Sequence, residues 1–190
     1  MKKQVYIGGH MLGFGAQLQR NEEQKMVHHY GHDVFNPANA DHNQKATTDQ
    51  EGLADRIVRV DNEMMAWSNF AMIEPLPEAQ GTVCELGIFK GRRDFANAVQ
   101  DAIEKGATLE QLSALCKHEQ ERKVMPHYQD IRRVPGITEA EDRRSLGINA
   151  FVYGVVLELT DGHGFYTYEQ ISEALQEGTS EPLYTIPQSN

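Results

Sequence analysis

Short apolar segments alternate with longer amphipathic segments through the first half of the chain. The segments at 5–7, 33–35 and 70–73 are apolar and end at a glycine pair, an Asn-Pro pair and a proline-containing loop, which is typical of buried strands. Residues 16–30 and 53–68 lie between them and show apolar positions at helical spacing. Strands that alternate with helices predict a parallel sheet covered on both faces, with the right-handed crossovers of Rossmann- or flavodoxin-like proteins.

The second half of the chain predicts two more strands, and helical segments that interrupt the alternation of strands and helices. In order, the expected elements are a helix at 82–90 that stops at Gly91, helices at 94–105 and 108–120, strands at 123–125 and 151–159, and a closing helix at 168–176. Thr108 and Gln111 have the spacing of a capping box. The expected architecture is a single α/β domain over residues 1–190, with a five-stranded, mainly parallel sheet flanked by helices and a helical insertion at about 92–121.

Charge and cysteine content restrict the partners and the compartment. The chain has 18 Lys and Arg against 28 Asp and Glu, a formal net charge of -10, which is opposite to that of proteins that grip nucleic acid phosphates. No apolar run approaches the ~20 residues of a membrane span, and the first residues lack a signal-peptide pattern. Cys84 and Cys116 belong to no zinc pattern. We therefore expect a cytoplasmic protein without nucleic acid or membrane partners.

The carboxyl ends of the predicted strands contain a candidate nucleophile. Ligands of open parallel sheets bind outside these ends, which here means residues 8–13, Asn36 onward, 74–85 and the segment after 125. In Gly81-Thr82-Val83-Cys84-Glu85, Thr82 can start a helix, so that Glu85 falls in the first turn. The helix dipole favours an ionised carboxylate there. Such a group can displace a leaving group at a sugar carbon, or can simply complement the dipole.

Several sequence blocks occur in a characteristic order. They are VYIGG at 5–9, GHDVFNP at 31–37, Asp61 in a helix before a strand, GTVCELG at 81–87, the segment 122–132, and INAF at 148–151. Their order and spacing resemble the nucleoside 2-deoxyribosyltransferases over most of residues 4–175, outside the insertion.

The resemblance implies a transferase that moves a 2-deoxyribosyl group between nucleobases in nucleoside salvage, through a covalent intermediate on Glu85 and without a metal or organic cofactor. It implies that Tyr6 orients Glu85 and that Asp61 contacts the base and assists its protonation. Asn149 would reach the sugar 5-hydroxyl in a neighbouring subunit, which implies a homo-oligomer with shared sites. The expected substrate-binding residues are Gly8, Gly9, Asn36, Glu78, Gly81, Thr82, Asn149 and Phe151.

One departure from the family pattern leaves alternatives open. The family has an aspartate six residues before the nucleophile, where this chain has Ala79 next to Glu78, so that Glu78 substitutes or base recognition differs. Related hydrolases of 2-deoxynucleoside 5-monophosphates also lack that aspartate, but Asn149 stands where they more often have serine. A nucleotide-sensing module without catalysis is a third interpretation. The presence of Tyr6, Asp61 and Glu85 together argues against it, since a protein that only binds needs no nucleophile.

Two other ligand classes are disfavoured by spacing. Gly8-Gly9 and Gly13-x-Gly15 do not form the G-x-G-x-x-G order of a dinucleotide site. His28, His29, His32 and His42 form a local group without a second cluster to complete a metal site, so that we expect surface histidines.

Overall fold

Three parallel strands form the sheet in the part of the chain that the structure describes. They are β1 (Gln4–Gly8), β2 (Asp33–Phe35) and β3 (Phe70–Ile73), and their order is β2-β1-β3. Tyr6 in the central strand pairs with Phe35 of β2 and with Ala71 of β3. The structure is a computed structural model that describes residues 1–43, 51–128 and 148–176. The predicted alternation of parallel strands and helices is confirmed. The arrangement is a Rossmann-like α/β fold, with three strands among the described residues rather than the predicted five.

Helices account for most of the remaining described residues. They are α1 (Phe14–His29), α2 (Leu53–Trp67), α3 (Gln80–Glu104), α4 (Leu109–Gln120), α5 (Ala150–Leu159) and α6 (Tyr168–Gln176). Two short 3-10 turns, Pro37–Asn39 and Asp41–Asn43, follow β2.

Side chains of β1 alternate between the two faces of the sheet, as a pleated strand requires. Tyr6 lies on one face, in a buried cluster with Leu53 and Ile57 of α2 and Phe151 of α5. Val5 and Ile7 lie on the other face, against Val27 of α1. Helices therefore cover both faces of the sheet, and the face that carries Tyr6 is the one against which α2, α3 and α5 pack.

The predicted fifth strand at 151–159 is wrong, because these residues form the helix α5. The segment is apolar almost throughout, and a short apolar run does not distinguish a buried strand from a buried helix. Asn149 caps the start of the helix, since its Oδ1 accepts hydrogen bonds from the backbone N–H groups of Phe151 (2.9 Å) and Val152 (3.3 Å). Gly154 then allows α5 to lie directly on α2, because a Cβ there would be 2.4 Å from the carbonyl oxygen of Ala54.

The predicted fourth strand at 123–125 is also wrong, since these residues belong to no strand. Nearby, Tyr166 N donates a hydrogen bond to the Pro126 carbonyl oxygen at 2.8 Å. Proline has no backbone N–H to return such a bond, which limits strand pairing at this point.

The expected break at Gly91 is absent, because α3 continues through it to Glu104. A glycine inside a helix costs only about 0.5–1 kcal/mol relative to alanine and does not by itself end the helix. The end comes at Gly106, whose φ of 79° is in the left-handed region that favours glycine. The capping box at the start of α4 is confirmed by reciprocal bonds between Thr108 and Gln111.

The chain divides into two units. The first comprises described residues of Met1–Phe89 and Gln129–Gly164 and contains the sheet, and the second comprises described residues of Lys90–Tyr128 and Phe165–Asn190. The division falls within α3, and the whole of the expected insertion at about 92–121 belongs to the second unit.

Candidate active site

A tyrosine and a glutamate meet at the carboxyl end of the central strand. Tyr6 is fully buried in β1, and its Oη donates a hydrogen bond of 3.0 Å to Glu85 Oε1. Glu85 is 4% exposed and belongs to α3. The structure therefore brings together the two residues for which the sequence predicts an orienting and a nucleophilic role.

The second carboxylate oxygen of Glu85 lies against Gly8. A Cβ on Gly8 would be 2.6 Å from Glu85 Oε2 and 2.8 Å from Ile73 Cδ1, so that only glycine leaves room for the carboxylate here. Within the described part of the chain, Oε2 is buried and has no hydrogen-bond partner. Buried carboxylate oxygens are normally paired, and an unpaired one is available to react or to bind a ligand.

Asp61 is the third acidic or phenolic group at this site. It is 2% exposed on α2, and its negative charge acts on both Tyr6 and Glu85. Burial, followed by the charge of Asp61, raises the pKa of Glu85 to about 7, against the lowering effect of the Tyr6 hydrogen bond. The three residues thus form a buried group in which the ionised form of Glu85 is destabilised at rest.

This electrostatic result corrects one part of the sequence interpretation. Glu85 was expected in the first turn of its helix, where the dipole favours the ionised form. Because α3 begins at Gln80, Glu85 is its sixth residue and lies beyond the turn where the dipole acts most strongly. Burial and the charge of Asp61 therefore dominate its pKa.

Tyr6 remains a neutral hydrogen-bond donor across the physiological range. Burial raises the pKa of its phenol far above the ordinary value, and the neighbouring charges of Glu85 and Asp61 raise it further. A phenol that keeps its proton can hold Glu85 Oε1 in place without competing for the carboxylate proton.

Asn149, Gly81 and Thr82 lie together at the start of α3. A Cβ on Gly81 would be 3.0 Å from Asn149 Oδ1, and Thr82 is 4% exposed. The structure thus places Asn149 beside α3 of its own chain, where it also caps α5. Its predicted contribution to a neighbouring subunit stays a prediction. Phe151 is buried in the same hydrophobic cluster as Tyr6.

Asn36 and Glu78 are two further residues for which the sequence predicts substrate binding. Asn36 is buried, but its amide Nδ2 donates to Gln24 Oε1 at 2.9 Å and its Oδ1 accepts from Ala38 N at 3.1 Å, so that it stabilises the turn after β2. Glu78 is exposed in the turn before α3, while Ala79, at the position of the family's aspartate, is buried. The predicted loop at 129–132 lies outside the described residues.

Sequence reasoning missed Arg20, which is 2% exposed in α1. Its Nη1 donates to the Gly8 carbonyl oxygen at 3.3 Å, and its Nη2 donates to Glu74 Oε2 at 2.7 Å. A signal was present, because Arg20 is seven residues before the buried Val27 and hence on the same side of the helix. A charged residue on the buried side of a helix needs buried partners.

Among the described residues, no group of three or more His, Cys, Asp or Glu is placed to hold a metal ion. No helix in the described ranges is long and apolar enough to cross a membrane. Both cysteines are free thiols, and burial and the charge of Glu85 raise the pKa of Cys84.

Comparison with known proteins identified no relative. Protein-family models, curated proteins and solved structures all gave no match to the chain.

Proposed function

We propose that this protein transfers a 2-deoxyribosyl group between nucleobases, with Glu85 as the nucleophile. The observation that carries the proposal is the buried group formed by Tyr6, Asp61 and Glu85 at the carboxyl end of a parallel sheet, with one Glu85 oxygen unpaired among the described residues. Ligand sites of such sheets lie at this end. The resemblance in sequence supports the same roles for the same three residues.

In the first half of the reaction, Glu85 Oε2 attacks the anomeric carbon of a 2-deoxynucleoside. A bond forms between this oxygen and the sugar carbon as the bond from the carbon to the base nitrogen breaks. The bonding electron pair leaves with the base, which takes a proton from the carboxyl group of Asp61. The reactive form of the two acidic groups therefore has Glu85 ionised and Asp61 protonated. Proton delivery matters because the anion of a nucleobase is a poor leaving group.

In the second half, a nitrogen of another base attacks the same carbon from the face that the first base left. The ester bond to Glu85 breaks, the carboxylate is restored, and the incoming base gives its proton to Asp61. Two displacements retain the configuration at the anomeric carbon. Tyr6 holds Glu85 Oε1 throughout, so that Oε2 is the reacting oxygen.

The test is a chromatographic assay of a panel of deoxynucleosides, each with and without a second free base. We expect a new deoxynucleoside that requires both the acceptor base and Glu85. The control is Glu85→Gln, which retains the size of the side chain. Release of base and deoxyribose irrespective of the acceptor would replace the transferase with a hydrolase, and 5-monophosphates would then be compared as donors. Turnover that is absent, or equal in wild type and variant, would overturn the proposal.

The proposal includes a cytoplasmic homo-oligomer in which the segment of Asn149 completes a neighbouring site. Mixing Glu85→Ala with Asn149→Ala subunits should then restore part of the activity that each variant lacks. Sedimentation velocity would give the oligomeric state of each preparation. If no activity returns in a mixed oligomer, Asn149 serves its own chain, beside Gly81 where it lies in this structure.

A further inference from the structure

The two glycines after Ile7 receive charged groups from opposite faces of the sheet. A Cβ on Gly8 would be 2.6 Å from Glu85 Oε2, whereas a Cβ on Gly9 would be 1.4 Å from Arg20 Nη1. Glu85 contacts Tyr6 on one face of the sheet, and Arg20 belongs to α1, which covers the other face. The carboxylate and the guanidinium therefore approach the same short stretch of backbone from its two sides. Any side chain on Gly9 would have to displace Arg20.

Arg20 also joins the carboxyl ends of two strands. Its Nη1 donates to the Gly8 carbonyl oxygen at the end of β1, and its Nη2 donates to the carboxylate of Glu74, directly after β3. The same carbonyl oxygen accepts a bond of 2.9 Å from Glu74 N. A second contact of Nη2, with Glu23 Oε1 at 2.8 Å, fixes the guanidinium on α1. Gly8 is thus held from one side by Arg20, while Glu85 lies against its other side.

We propose that Arg20 is a positioning residue for the displacement at Glu85, and that it acts through the backbone of Gly8 rather than by touching the substrate. The inference rests on the proposed function. Each glycine then has a separate role. Gly8 leaves room for the reacting oxygen of Glu85, and Gly9 leaves room for the guanidinium of Arg20, which holds Gly8.

The chemistry of the guanidinium explains why arginine is needed here. Its planar fork holds two acceptors at fixed angles, whereas a lysine ammonium is a point charge on a flexible stem. Loss of the fork would let the Gly8 backbone move relative to Glu85 Oε2. A misplacement of about 1 Å at a reacting atom can lower the rate about 100-fold.

The test compares two variants with a matched control. Arg20→Lys keeps the positive charge and loses the fork, and Gly9→Ala leaves Arg20 in the chain but forces its guanidinium out of place. The control, Glu22→Gln, breaks an exposed ion pair with Lys25 on the same helix and leaves the contacts of Arg20 in place. Circular dichroism and the melting temperature establish whether each variant is folded. If Arg20→Lys does not fold, Gly9→Ala decides the test.

We expect both variants to lower kcat about 10- to 100-fold, because the reacting oxygen is misplaced. The KM of Arg20→Lys should stay within about twofold, since Arg20 does not touch the substrate in this proposal. Glu22→Gln should keep kcat within about twofold of wild type. Folded variants with wild-type kcat would overturn the proposal, even if their melting temperatures fall, because Arg20 would then support the fold alone.

A second readout does not depend on turnover. The infrared carboxyl band of Glu85, taken as the difference between each protein and its Glu85→Gln counterpart, gives the titration midpoint of this group. A loosened Gly8 backbone admits water to Oε2 and shifts the midpoint to lower pH, since burial is the main cause of its raised pKa. An unchanged midpoint in both variants would overturn the role of Arg20. If wild type shows no Glu85-dependent turnover but the midpoint shifts, the proposed function fails and the positioning of Gly8 by Arg20 stands.

Discussion

At neutral pH, Glu85 lies near the midpoint of its titration, because its pKa is raised to about 7. The groups that face it are Tyr6 from β1 and Asp61 from α2, with Cys84 as its neighbour on α3. A carboxyl group must be ionised to act as a nucleophile. We therefore predict that kcat/KM rises with pH along an acid limb whose midpoint lies near 7, which a pH–rate profile from pH 5 to 9 would measure.

Replacing Asp61 with asparagine should shift that profile. The negative charge of Asp61 raises the pKa of Glu85, so Asp61→Asn moves the acid limb to lower pH. The maximal rate should fall about 100- to 10,000-fold, because the proposed proton donor to the base is lost. Asp55→Asn is the control, since Asp55 is an exposed carboxylate on the same helix. A limb that stays in place in Asp61→Asn would contradict the electrostatic coupling.

Removal of the Tyr6 hydroxyl should have the opposite effect on the profile. The hydrogen bond to Glu85 lowers the pKa of that group, so Tyr6→Phe should move the acid limb to higher pH. It also leaves Glu85 Oε1 without its donor in a buried position, at a cost of about 1–3 kcal/mol of unfolding free energy. Urea denaturation and the pH–rate profile measure the two effects. Tyr30→Phe, at a tyrosine that is 69% exposed, should change neither.

At the scale of the elements, the contact of α5 with α2 depends on Gly154. A Cβ there would meet the Ala54 carbonyl oxygen at 2.4 Å and Val58 Cβ at 3.0 Å. Gly154→Ala should therefore lower the unfolding free energy by about 1–3 kcal/mol, because two packed helices must separate. The control is Gly91→Ala in the interior of α3, where a Cβ meets nothing within 4 Å. It should raise stability by about 0.5–1 kcal/mol, and equal effects of both changes would contradict the packing argument.

Sequence patterns predicted the elements that have clear periodicity or clear ends. The strands β1 to β3, α2 and the closing helix α6 fall within a residue of the expected positions, because glycine, proline and apolar spacing mark them locally. The segment now seen as α5 lacks such spacing, and the Asn149 cap was the only local sign of a helix. The sequence predicts a helix end at Gly91, but the free-energy cost of an internal glycine is too small to end α3 without further signals.

The candidate site was predictable only in part. The rule on strand ends indicated the neighbourhood of Gly8 and Glu85, and the resemblance named Tyr6 and Asp61. The unpaired oxygen of Glu85 and the buried Arg20 depend on contacts between residues far apart in sequence. No local pattern specifies such contacts, since they arise only when α1 and α3 pack on opposite faces of the sheet.

At the scale of the whole molecule, the unit that contains the sheet is discontinuous in sequence. It needs α5, which supplies Phe151 to the cluster around Tyr6, although α5 follows the residues of the second unit. A chain that ends at residue 128 should therefore fail to unfold cooperatively, because one side of the Tyr6 cluster would be exposed to water. Urea denaturation followed by circular dichroism tests this. A cooperative transition equal to that of the full chain would contradict it.

Because burial and the charge of Asp61 raise the pKa of Glu85, folding of the chain is coupled to proton binding. The carboxyl pKa is about 7 in the folded protein and 4.5 as its ordinary value, so between these values the native state binds more protons than the unfolded chain. Stability must then decline as pH rises through this window, by roughly 3 kcal/mol in total for this one group. Glu85→Gln should abolish that decline and melt above wild type at pH 8 but not at pH 4. Glu85, the proposed nucleophile, therefore destabilises the folded protein, and it does so more strongly as the pH rises toward the range in which its carboxylate can react.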